Sequence, residues 1–299
     1  MENLSKSVLR IITGFVFGLI ALACIIFGGL PLLVLLSIIV YIGAREYVKI
    51  LEHKGFYPSL KVILFADIIF AAMAYFNCFE LLPLAFTIST MVAFMWVLFR
   101  GKQPYIANVA TTAIGFIYSG WFPLHLLMLR DLGSNNNTSL QMILKTDILN
   151  AGLGYVIFIF LLVIMTDVGC YYFGRHLGEH KLAPVISPNK TIEGSIGGAI
   201  CTVIGGFIIA YFIKLPWNYA LVASLLVTTF AQIGDLCESM IKRDAGVKDS
   251  GDLLPGHGGF LDRTDSYIFV IPVMYYFFKY FVQNQDLLNN ITNLVKGIF

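Results

Sequence analysis

Apolar residues run in long unbroken blocks along almost the whole chain, and polar residues collect in short intervals between them. The blocks fall at residues 10–28, 30–50, 61–79, 81–99, 104–129, 151–174, 192–213, 216–240 and 266–282. Each approaches the ~20 residues that an upright helix needs to cross the hydrocarbon core. None alternates with the period of two that a membrane barrel requires. In lipid a lone span must satisfy its own backbone hydrogen bonds, so the pattern predicts helices. The expected fold is all-α: a polytopic integral membrane helical bundle of about nine transmembrane helices. Pro31 and Pro83 fit either tight turns or kinks.

Composition supports the pattern. Hydrophobic residues make up 58% of the 299 and charged residues only 13%, and the mean hydropathy is +0.80. The first block carries Lys6 and Arg10 ahead of it, like a signal peptide, but it is too long for one and another block follows at once. It reads as an uncleaved first span. With the N-terminus inside, 15 of the 20 Lys and Arg residues fall on the inner side, as the positive-inside rule asks. The expected location is a bacterial inner membrane with the charged loops in the cytoplasm. A net charge of +2 implies no nucleic-acid partner. Five scattered cysteines show no metal-ligand spacing.

Three regions follow: an N-terminal scaffold of spans over 1–130, an outer polar loop over 131–150, and a C-terminal catalytic region over 151–299. That last region holds two inner loops, 175–191 and 241–265. In the scaffold Glu46 stands beside Arg45 and reads first as half of an interface ion pair. The densest polar stretch runs from Ser239 to Asp265, between two apolar blocks. Anchoring alone gives no reason for interleaved Asp, Lys, Arg and Gly, whereas a site for phosphates and a metal ion does.

Asp167 and Asp235 interrupt apolar runs, where an ionised carboxylate costs roughly 2.5–3.5 kcal/mol on insertion scales. Each is expected to face protein, water or a cation. On a helix Asp235, Glu238, Ser239 and Lys242 share one face, and Glu238–Lys242 is also an ordinary stabilising pair. Asp262 and Asp265 lie one turn apart. His257 could serve as an acid–base, a phosphate donor or a surface residue, and Gly258 and Gly259 either let amides approach an anion or form a mobile turn. Ser187, Lys190, Thr191 and Glu193 make either a phosphate seat at a helix start or a plain capped terminus. A Walker loop, a dinucleotide fingerprint and a G-x-S-x-G elbow are all missing, which excludes the standard nucleotide-binding and hydrolase domains.

The stretch resembles the signature of the phosphatidate cytidylyltransferases. Ser239, Lys242, Arg243, Lys248, Asp249, Gly251, Leu254, Pro255, His257, Gly258, Gly259, Asp262, Arg263 and Asp265 fill its fixed positions. Gly234–Ser239, Ser187–Gly194 and Asp167–Gly178 are similar to the family too, although Asn189 and Ile192 stand where Lys and Trp are more usual. The likeness is strong over 165–270 and rests on hydropathy alone before that. It implies that CTP and phosphatidic acid react to give CDP-diacylglycerol and pyrophosphate. Magnesium is the implied cofactor, with potassium a further cation beside it, and the family's metal ligands carry over to Asp235 and Asp262. Lys242, Arg243, Lys248 and Arg263 are then expected to neutralise phosphates, joined by Lys190, with Asp249 and Asp265 as further ligands or as orienters of those cations. Ser187, Thr191, Glu193, Ser239, Gly258 and Gly259 complete the substrate-binding set, and a homodimer is the family's expected assembly. Two other readings are a CTP-dependent polyprenol or phytol kinase, which would need a base for the hydroxyl, and an ion-coupled transporter using Asp167 and Asp235.

Overall fold

The protein is a polytopic helical membrane protein, and the computed structural model describes residues 2–134, 150–251 and 258–284. Its N-terminal helices are α1 (Glu2–Phe27), α2 (Gly29–His53), α3 (Leu60–Phe76), α4 (Leu82–Arg100), α5 (Tyr105–Gly115) and α6 (Phe122–Arg130). A π-helical turn, Phe116–Trp121, splices α5 to α6 as one rod. Then come α7 (Ala151–Leu177), α8 (Ile192–Ile213), α9 (Trp217–Asp244) and α10 (Leu261–Phe277). A second π turn, Phe278–Gln283, prolongs α10.

Every apolar block coincides with a helix. Among the described residues six rods are long and apolar enough to cross a membrane: α2, Phe79–Arg100, Tyr105–Arg130, α7, α8 and α9. Helices α3 and α10 have 17 residues each, a little short of an upright span. Pro83 lies in the first turn of α4 and Pro31 in that of α2. There a missing N–H costs nothing, so neither proline kinks its helix. The segment expected as a loop over 175–191 departs from the all-α expectation. It holds a small antiparallel hairpin, β1 (Lys181–Ala183) with β2 (Ser187–Thr191), in which Lys181 faces Thr191. Outside the apolar blocks a short polar segment can pair its backbone across a turn. Of the polar loop expected over 131–150, residues 135–149 lie outside the described residues.

The N- and C-terminal regions share one hydrophobic core. Arg130 ties them together at one end of the bundle. It is 1% exposed. Its Nε donates to the Ile25 carbonyl at 2.7 Å, and one terminal nitrogen to that of Ile26 at 2.7 Å. The other reaches Asn150 Oδ1 at 2.6 Å. One cation thus serves the open carbonyl end of α1 and the residue that caps α7. Helix α8 lies close against α7, and Thr166 and Thr202 hydrogen-bond across that contact at 2.7 Å. At the opposite end of α2, Lys54 meets Asp244 at the end of α9 at 2.9 Å. The head of α10 reaches the same place through Glu46.

Candidate active site

Helix α9 carries four of the candidate residues on one face. Asp235, Glu238, Ser239 and Lys242 follow one another there as the helical period requires. Ser239 Oγ is 3.5 Å from Asp235 Oδ1. Lys242 pairs with Glu238 one turn back, and both are buried. Its ammonium also donates to Asp262 Oδ1 of α10 at 2.5 Å. Glu238 therefore takes the bland role in part, holding a lysine that itself holds an aspartate of the site.

Asp262 is held by three donors. It sits in the first turn of α10, ahead of the apolar run that begins at Ser266. Besides Lys242 it accepts the N–H of Ser250 at 3.0 Å and of Gly259 at 2.9 Å. Burial raises this carboxyl, but the ammonium and the two amides outweigh it and hold the group below its ordinary value. Gly259 allows the approach: a Cβ there would lie 1.8 Å from Ser250 Oγ. Gly258 has φ +79°, a conformation that favours glycine.

A cavity of about 520 Å³ opens beside this lock. Asp167 of α7, Lys190 and Thr191 of β2, Gln232 and Asp235 of α9, and Asp262 and Asp265 of α10 line it. Lys190 Nζ lies 2.7 Å from Asp235 Oδ2. Four carboxylates from three helices thus share one cavity with Lys190 and Arg175. Asp167 belongs to the cavity as fully as Asp235, and only packing brings it there. Among the described residues no three acid, histidine or cysteine side chains converge tightly enough to hold a metal by themselves. The donor set nevertheless suits a hard cation. Magnesium takes one or two carboxylates and draws its other ligands from water and substrate phosphates.

The hairpin is held by its own residues. Thr191 N-caps α8, accepting the Gly194 N–H at 3.1 Å. Glu193 accepts from the amides of Glu179 and His180, and from His180 Nδ1 at 2.6 Å. Both residues therefore shape the loop that presents Lys190, which is the capped-terminus reading. Ser187 opens β2 and does not line the cavity.

Other expected residues lie elsewhere. Arg243 is exposed, with Nε 3.3 Å from the Ile186 carbonyl, so it ties the hairpin to α9. Arg263 lines a separate apolar pocket of about 330 Å³ against Phe17, Phe160 and Tyr267. Lys248 and Asp249 line a third space, with Arg45 and Lys49 of α2. His257 lies outside the described residues.

Glu46 departs from its sequence reading. It forms no ion pair with Arg45 among the described residues. It is 6% exposed and accepts from Ser250 Oγ at 3.0 Å, Phe260 N at 2.9 Å and Leu261 N at 2.8 Å. One carboxylate of the supposed scaffold thus caps α10 and fixes Ser250, which in turn holds Asp262. The available signal was a charge inside an apolar block, but nothing in the sequence named its partners.

Comparison with known proteins shows the family. The description of the cytidylyltransferase family matches residues 8–281. A Synechocystis protein named phosphatidate cytidylyltransferase is 34% identical over 280 residues, which is 90% of this chain and 95% of that protein. Proteins of the same name from Staphylococcus haemolyticus and Staphylococcus epidermidis are 53% and 52% identical over 125 residues, 41% of this chain and 48% of each of theirs. The chain belongs to the cytidylyltransferase family.

Proposed function

We infer that this protein is a phosphatidate cytidylyltransferase of phospholipid synthesis, converting CTP and phosphatidic acid to CDP-diacylglycerol and pyrophosphate. The observation that carries this reading is the cavity shared by Asp167, Asp235, Asp262 and Asp265 with Lys190, at a membrane-helix end. The name of the Synechocystis relative, alike over nearly its whole length, supports it. The family match favours it over the lipid-alcohol kinase and the transporter.

In the reaction an oxygen of the lipid phosphate attacks the α-phosphorus of CTP. The bond to the β-phosphate breaks, and its electron pair leaves with pyrophosphate. The attacking phosphate is already an anion, so the protein need not remove a proton. Its task is to bring two anions together and to steady the charge that leaves. Asp235 and Asp262 would hold magnesium, which when bound supplies neutralisation of the phosphates. Potassium is a further cation for the same carboxylate cavity. Lys190 balances Asp235 and is placed to meet a phosphate. Lys242 acts at one remove, keeping Asp262 ionised and oriented. Asp167 and Asp265 complete the negative lining.

Two further parts of the reading concern placement and assembly. The site faces the cytoplasm of a bacterial inner membrane, where CTP is at hand and acyl chains stay in lipid, and the protein works as a homodimer. Impermeant thiol labelling of cysteines introduced at loop positions tests the first, and cross-linking in membranes the second. The reaction itself is tested with purified protein, magnesium, labelled CTP and phosphatidic acid. A labelled lipid and pyrophosphate are expected from the native chain, and at least ~1,000-fold less from Asp262→Asn, the scale of a lost preorganised charge. Absence of product from folded native protein over a range of cations would refute the assignment.

A further inference from the structure

Two cavities follow one another along α2 and share Tyr41. The first, of about 610 Å³, lies at the charged end of the helix and is lined by Arg45, Lys49 and Lys248. The second, of about 540 Å³, runs between α2 and α3 past Leu33, Val40, Leu64 and Ile68. Its α2 wall reaches from Leu30 to Tyr41, about 16 Å at the helical rise. The single carboxyl on its lining, Asp67, is 4% exposed and packs against Gly120, so the surface offered is apolar.

Charge is matched to this shape. Tyr41, Arg45 and Lys49 recur every fourth residue, so they line up on one face of α2. The Arg45 guanidinium lies 5.8 Å from the Tyr41 ring centre. Arg45, Lys49 and Lys248 are exposed, and none forms an ion pair among the described residues. Of the acids beside them in sequence, Glu46 is committed to Ser250 and the head of α10. Glu46, engaged in those contacts, and Asp249 are the acids on this wall, against three cations. The space therefore has a cationic head and an apolar tail, the two halves of an anionic lipid.

We propose that this groove receives phosphatidic acid, with its phosphate at Arg45, Lys49 and Lys248 and an acyl chain along α2 and α3. The choice among anionic lipids rests on the function inferred above and on two features. A phosphate monoester has no further headgroup and carries more than one charge, which suits three cations lining one cavity. Ser250 also lines the cationic cavity, while its N–H holds Asp262 of the carboxylate cavity. Ser250 thus links the cationic cavity to Asp262 of the carboxylate cavity.

The test uses the full chain in nanodiscs. Binding of phosphatidic acid is measured without CTP, and KM for each substrate with it. Arg45→Gln combined with Lys49→Gln should weaken phosphatidic acid binding and raise its KM about tenfold, the loss of ~1.4 kcal/mol of charged contact, with KM for CTP within twofold. Unchanged lipid binding, or a rise confined to the KM for CTP, overturns the proposal. So does an equal loss of phosphatidylglycerol binding, which would make this a general anionic-lipid patch. Ala72→Trp fills the trough from an exposed position and so spares the fold. It should raise KM for long-chain phosphatidic acid and leave a dihexanoyl form unaffected; no effect, or the same effect on both, overturns the tail half. Lipid binding that depends on these residues in a chain that makes no CDP-diacylglycerol would instead refute the assigned reaction and leave the groove standing.

Discussion

Glu46→Gln tests whether α2 is part of the catalytic apparatus or merely scaffold. The native carboxylate takes three hydrogen bonds at 2.8–3.0 Å while nearly out of solvent. Glutamine keeps the shape and one acceptor oxygen. Its NH₂ must then face either the Phe260 N–H or the Leu261 N–H, two donors confronting each other. The Ser250 hydroxyl can turn and accept, but an amide N–H cannot. Each bond to a charged acceptor contributes ~1.5–3 kcal/mol net, and a stranded buried donor costs ~1–3 kcal/mol. Allowing for the repair at Ser250, the perturbation is about 2–3 kcal/mol, and it falls on the residues that hold Asp262. If it is expressed as misplacement of Asp262, transfer slows about 30- to 150-fold. Labelled CDP-diacylglycerol formation measures the rate, and hydrogen exchange over 258–262 shows whether the clamp has loosened. A Glu46→Gln protein with native rate and native exchange would refute the claim that this carboxylate positions the site.

Other outcomes follow from single contacts. Arg130→Met leaves the α1 carbonyls and Asn150 without their donor and should destabilise the protein by about 3 kcal/mol, read by denaturant unfolding in detergent, with turnover per folded molecule retained. Gly259→Ala places a methyl carbon where Ser250 Oγ sits and should abolish transfer, with denaturant unfolding showing that the fold persists. Thr191→Val removes the cap of α8 and should cost ~0.5–2 kcal/mol; a raised KM for CTP would show that the hairpin delivers Lys190.

Much of the architecture was legible in the order of residues. Lipid forbids unpaired backbone, so each long apolar block had to be a helix, and all nine blocks are. The face of α9 was also readable, because a helix places every third and fourth residue together whatever surrounds it. Of the dense charge between Ser239 and Asp265, Asp262 and Asp265 line the carboxylate cavity, while Lys248, Asp249 and Arg263 line other spaces.

Only tertiary packing decided the partners. Arg45 and Glu46 are adjacent in sequence and line one cavity, yet neighbouring residues on a helix point in different directions, so Arg45 lies over Tyr41 while Glu46 is bonded to the head of α10. Glu46 meets residues more than 200 positions away, a contact that no local period encodes. Asp167 joined Asp235 and Asp265 because α7, α9 and α10 pack around one space. Arg263 stands next to Asp262 in the chain, and one step along α10 swings it to an apolar pocket. Local periodicity fixes which residues share a helix face; what that face meets depends on how the helices pack, and the site was built there.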